Sequence, residues 1–161
     1  GITNYIEEKP MSIKQKLHHL FVELFIAPKE QKSRSYHDLD PKITPLVDAL
    51  NSLESVTTIA SCQGHVNRLS MPYVYFHSST QQAALIAKRL KELWEKHQLH
   101  VRWKLTGQFS TSQILCFHLS AVLYDQSYSQ FLLWRCWHYG LYRHYIDQDV
   151  NVLGQQLGEI R

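Results

Sequence analysis

Ser61-Cys62-Gln63-Gly64-His65 is the compact run of the chain in which several chemically able side chains stand together. A thiol and an imidazole three residues apart are brought together by a turn, as a thiolate–imidazolium pair or as two ligands of one metal ion. Cys62 and His65 are therefore the candidate catalytic residues. Ser61 and Gln63 add hydrogen-bonding groups, and Gly64 allows a positive φ or the close approach of a ligand. A metal held by Cys62 and His65 would need His37 or His77 to complete its shell, and Asp38 or Asp40 could orient a histidine for hydrolysis. No dedicated metal site is assigned. The expected geometry is an exposed bend at the carboxyl end of a strand, its polar atoms directed into an open pocket. The competing reading is a plain turn with a buried cysteine.

A second group of candidates is basic. His100, Arg102 and Lys104 alternate with Leu99, Val101, Trp103 and Leu105, which places three donors on one face of a strand, as a phosphate backbone requires. With Thr58 and His77 they join Ser61, Gln63 and Gly64 as candidate ligand-binding residues. Further on, Arg135, His138, Arg143 and His144 are interleaved with Trp134, Trp137, Tyr139 and Tyr142. Cations among stacking rings suit single-stranded RNA or a nucleotide base; the same rings at helical spacing also suit a core.

The elements that must position these groups follow from periodicity. Ser12 and Gln15 form a capping box for a helix carrying Ile13, Leu17, Leu20, Phe21, Leu24 and Phe25, which Pro28 should end. One face of that helix should be buried against the domain or a partner. Residues 29–41 read as an exposed loop. Thr44-Pro45 opens a second helix. Strands are expected over 56–60, 73–77, 99–106 and 114–123, the last apolar throughout and central, with a turn over 107–112. Helices are expected over 81–97 and 128–147, the latter capped at Asp125-Gln126-Ser127. A short tail helix over 149–161 must dock to be stable. The fold class is α+β: a two-layer α/β sandwich with about four strands in a mixed sheet and helices on one side. The stretch 73–106 should be a crossover joining parallel strands. Residues 1–10 form an arm and 11–161 a single domain.

Composition narrows the function classes. A net charge of +3 and a pI of about 8.7 permit an anionic partner without requiring one. Three cysteines at wide spacing, with no CxxC pair, give neither a disulfide framework nor a Cys-rich zinc site. No apolar run is long enough to span a bilayer and no secretory leader is recognisable, so the expected setting is the reducing cytoplasm, with no membrane partner.

The run Ile43-Thr44-Pro45-Leu46-Val47-Asp48-Ala49-Leu50-Asn51-Ser52-Leu53, followed by Thr58-Ile59-Ala60-Ser61-Cys62-Gln63-Gly64-His65, resembles the wybutosine-synthesising tRNA methyltransferase family. That family has a similar helix and a strand running into Thr-Thr-Ser-Ser-Cys-x-Gly-Arg. Pro72-Tyr73-Val74-Tyr75-Phe76-His77 and the helix with Ala83-Ala84 are similar to its next strand and helix. The resemblance covers 43–97 and implies an S-adenosylmethionine-dependent, tRNA-modifying fold with the Ser-Cys-x-Gly loop in its cleft. His65 stands where the family has Arg. A Ser-Cys-x-Gly-His loop is also similar to those of uncharacterised phage and mobile-element proteins.

Three functions fit these residues. The leading one is a non-catalytic module that uses the loop to hold a nucleotide, a peptide or a protein. RNA or a nucleotide is one candidate partner, and a protein or a second copy docking on the amino- or carboxyl-terminal helix is another. The alternatives are an S-adenosylmethionine-dependent RNA-modifying enzyme, and a Cys/His-dependent or metal-dependent hydrolase.

Overall fold

The computed structural model describes residues 10–33, 39–123 and 130–160. The amino-terminal arm through residue 9, His37, Asp38 and the cap at Asp125-Gln126-Ser127 lie outside the described residues.

Helix α1 (Ile13–Phe21) starts at the expected capping box: Ser12 Oγ accepts from Gln15 N, and Gln15 Oε1 accepts from Ser12 N. The helix does not stop at Pro28. A π-helical turn (Val22–Ile26) intervenes, and α2 (Ala27–Ser33) continues beyond it. The extra residue in that turn lets Ala27 N donate to Val22 O. Pro28 therefore falls in a new first turn, where its missing N–H costs nothing. The apolar stripe of this segment is split. Leu24 packs on the core and Leu20 lies against Gly140, while Ile13, Leu17, Phe21 and Phe25 remain exposed.

Helix α3 (Thr44–Asn51), with Pro45 in its first turn, buries Leu46, Val47, Ala49 and Leu50. Strands β1 (Thr57–Cys62) and β2 (Tyr73–His77) follow, then α4 (Thr80–Glu95), β3 (Arg102–Phe109) and β4 (Leu115–Val122). Gly107 lies within β3, opposite Phe117, and the turn comes later, where Ser110 N donates to Ile114 O.

The sheet has four strands in the order β1-β2-β4-β3, and every neighbouring pair is antiparallel. The expected mixed sheet is corrected on this point. Strands β2 and β3 do run the same way, joined through α4, but β4 sits between them, so no parallel ladder forms. Alternation decides the two faces. Val74, Phe76, Trp103, Phe117, Leu119 and Ala121 join one hydrophobic cluster with α3, α4 and the carboxyl-terminal helix. Tyr73, Tyr75, Lys104, Thr106 and His118 occupy the other face.

The carboxyl-terminal segment breaks earlier in its course than expected, near residues 137–142 and not at 148. Helix α5 (Leu132–Cys136) passes into a π-helical turn (Trp137–Leu141), Tyr142 leaves helical geometry at ψ 21°, and α6 (Arg143–Gly158) runs on unbroken. The tail is thus part of a long helix, not a separate short one. Its Ile146, Val150, Leu153 and Leu157 are buried, each contributing roughly 2 kcal/mol. A Cβ on Gly154 would stand 3.0 Å from Pro45 O, so a larger residue there would have to push the closely crossed α6 and α3 apart by a few tenths of an ångström. Among the described residues, no helix is long and apolar enough to cross a membrane.

Candidate functional site

The loop after β1 is held from three sides. Gly64 has φ +80°, and a Cβ there would stand 2.9 Å from Pro72 Cγ and 3.1 Å from the Tyr139 ring, so only glycine fits. Its carbonyl accepts from Arg143 Nη1 at 2.6 Å. Gln63 ties the loop to the entry of α3: its N donates to Asp40 Oδ2 (3.2 Å) and its Oε1 accepts from Lys42 N (3.0 Å). Asp40 is fixed in turn because its carbonyl accepts from Ile43 N and Thr44 Oγ1. Ion pairs extend outward from there, from Arg143 to Asp147, and from Lys42 to both Asp147 and Glu23.

This construction brings Cys62, His65 and Asp40 together. His65 Nε2 lies 3.0 Å from Asp40 Oδ2, and one ligand atom from each of the three residues falls within 4.8 Å of the others. Gly64 N donates to Cys62 Sγ at 3.4 Å. The loop is not the exposed bend that the sequence suggests. Cys62 is 4 % exposed, Gln63 5 % and His65 5 %, because α6 and Tyr139 close over residues 62–65. A thiol, an imidazole and a carboxylate in this order could carry nucleophilic chemistry or hold a cation, and burial favours the second.

The electrostatics of the pair give a pH dependence. Burial alone would depress the His65 imidazole, but its hydrogen bonds to Asp40 and Cys62 outweigh burial and raise it from 6.5 to about 9. For Asp40, burial pushes the carboxyl up, while His65 and the Gln63 amide pull it below its ordinary 3.8. A raised histidine stabilises the fold below its unfolded value and loses that contribution as pH climbs through the folded one. A lowered carboxyl stabilises above its ordinary value and loses that contribution in acid. In protein kept metal-free by a chelator, urea unfolding should therefore show stability declining between pH 6.5 and 9, by on the order of 2 kcal/mol. His65→Gln should flatten that limb; an unchanged slope would show that the pair does not set it.

The other candidates go elsewhere. Thr58 clamps β1 to the end of α3, its Oγ1 accepting from Asn51 Nδ2 and its N donating to Asn51 Oδ1. Ser61 pairs with Val74. His77 Nδ1 lies 3.2 Å from Cys116 Sγ. The basic row is divided: His100 precedes β3 and rests its ring on Tyr145, Arg102 is exposed at the start of β3, and Lys104 lines a cavity. On the carboxyl-terminal segment, Arg143 and Tyr139 are buried against Gly64, so they are structural and not available to a nucleic acid.

That cavity, about 610 Å³, lies on the face of the sheet away from the helices. Tyr73 and His118 stack there with centroids 4.9 Å apart and planes 25° apart. Lys104, Thr106, Gln108 and Ser120 surround them. Burial and the nearby Lys104 charge lower the His118 imidazole, which favours its neutral form. None of the four strands contains an aspartate or glutamate. None of residues 61–65 lines this cavity. Sequence reasoning missed His118, Thr106 and Ser120. The available signal was the alternation Cys116, His118, Ser120 within a run read as apolar throughout.

No family profile, no curated protein and no solved structure matches the chain.

Proposed function

We propose that the chain is a non-catalytic binding module whose open sheet face holds a nucleotide or the bases of a short single-stranded RNA. One observation carries this reading: a nucleotide-sized cavity with the Tyr73–His118 stack beside Lys104, on a sheet whose strands carry no carboxylate. A base extends the ring stack, and Lys104, followed along the face by Arg102, meets the phosphate. Thr106, Gln108 and Ser120 supply donors and acceptors for the base edge. Because Cys62 and His65 are covered, the module reading is preferred to hydrolysis.

Fluorescence anisotropy with a short labelled oligoribonucleotide tests it. Tyr73→Ala should weaken binding by about tenfold, the worth of one stacked base. Lys104→Ala should weaken it by a smaller factor and lower the slope of log affinity against log salt by about one. Absence of binding at low salt, or a Tyr73→Ala protein that binds as well as wild type, would overturn it. The resemblance of residues 43–97 supports a second reading as an S-adenosylmethionine-dependent enzyme. Calorimetric binding of S-adenosylmethionine that Cys62→Ala abolishes and Tyr73→Ala leaves intact would favour that one.

A further inference from the structure

We propose that Asp40, Cys62 and His65 form a zinc site that fastens the entry of α3 to the loop after β1, independently of whatever the sheet face binds. The three side chains offer a carboxylate oxygen, a thiolate and an imidazole, the donor types zinc takes. Their ligand atoms lie within 4.8 Å of one another. The 3.0 Å between His65 Nε2 and Asp40 Oδ2 is close to the spacing of two ligands at neighbouring corners of a tetrahedral ion.

The surrounding groups fit an ion. Both anionic donors receive a main-chain N–H, Gln63 N on Asp40 Oδ2 and Gly64 N on Cys62 Sγ. Such outer hydrogen bonds orient metal ligands and stabilise their charge. Two anionic ligands and one neutral imidazole balance the charge of a divalent cation. The loop is already held by Gly64, Arg143 and Lys42, so little ordering is needed when the ion binds.

Burial separates this reading from a catalytic thiol. Cys62 and His65 are about as buried as core residues, while the Asp40 side chain is 13 % exposed. A hydrated cation can enter along the Asp40 edge, and a solvent molecule can keep the fourth position. Each bound Zn²⁺ displaces the thiol proton and any proton on the His65 ring nitrogen it takes, so binding releases protons and weakens in acid. The sequence expectation that His77 would complete such a shell is corrected. His77 faces Cys116, and Asp40 takes the third place.

The test uses the full chain, dialysed against a chelator and titrated with Co²⁺. One equivalent should produce a thiolate-to-cobalt charge-transfer band in the near ultraviolet, and Zn²⁺ should displace it. The Cys116→Ser/Cys136→Ser protein, which keeps Cys62 as its sole thiol, should retain the band, and Cys62→Ser should lose it. Zn²⁺ should raise the thermal midpoint of the wild-type chain by roughly 5 °C. No charge-transfer band in wild type overturns the proposal, as does a band that vanishes in Cys116→Ser/Cys136→Ser. Should Cys62→Ser fail to fold, the sole-thiol protein decides alone. Oligoribonucleotide binding is read separately, so the two proposals fail by different observations.

Discussion

Asp149→Ala should remove about 4 kcal/mol of stability, enough to leave a typical domain close to unfolding. The Asp149 carboxylate is 0 % exposed and collects three donors: His100 N at 2.8 Å, Val101 N at 3.0 Å and Trp103 Nε1 at 3.1 Å. Alanine leaves all three without a partner inside the protein. Each buried orphan costs about 1–3 kcal/mol, discounted because water can enter the space left behind. Replacement by asparagine should be milder. Burial raises the Asp149 carboxyl more than its three donors lower it, so a neutral side chain avoids part of the desolvation cost. An asparagine oxygen in the Oδ2 position still accepts from Val101 N and Trp103 Nε1, while its NH2 leaves His100 N without an acceptor. Asp149→Asn should therefore lose less than Asp149→Ala, because one acceptor survives. Urea unfolding of the two variants measures the difference, and equal losses would refute this account. Because these bonds set the start of β3, Asp149→Ala should also weaken oligoribonucleotide binding through Arg102 and Lys104.

The second large effect concerns Arg143→Met, which should cost about 3 kcal/mol. Arg143 is 1 % exposed, and donates from Nη1 to Gly64 O and from Nε to Asp147 Oδ1 at 2.8 Å. Methionine fills much of the volume but leaves the Gly64 carbonyl without its donor. Arg143→Lys keeps the charge but not the fork that serves two acceptors in different directions, and should cost about 1–2 kcal/mol. Hydrogen exchange offers the local readout. In Arg143→Met the amides of residues 63–66 should lose more protection than those of α4. Uniform loss across the chain would mean that Arg143 supports the fold generally and not this loop.

Locally determined features were legible in the sequence. The Ser12/Gln15 box, Pro45 in the first turn of α3 and the alternation of Tyr73–His77 each depend on a few neighbouring residues. What was not legible depends on distant ones. Pro28 ends a helix by its own chemistry, yet the π-helical turn before it moves the proline into a permitted position. The loop at 61–65 has the composition of an exposed bend. Its burial is decided by Arg143, 79 residues further on, and by Tyr139. The pairing of Asp40 with His65 spans 25 residues, so only the fold could choose it over its neighbour Asp38. The sheet-face cavity was half visible. Tyr73 and Lys104 lie in strands whose alternation was read correctly, but His118 sits in a strand flanked by β2 and β3 on both edges. Its apolar neighbours hid the second face. The order β1-β2-β4-β3 brings these three residues together, and nothing local dictates that order.

The central claim, that the open sheet face is the binding surface, is tested most directly by amide and side-chain NMR of the full chain titrated with a short oligoribonucleotide. Resonances of Tyr73, Lys104, Thr106 and His118 should move together and saturate at one affinity, while those of Ile146–Leu157 stay in place. Shifts confined to Trp134 and Trp137 on the carboxyl-terminal segment, or to Cys62–His65, with the four sheet residues unmoved, would contradict it.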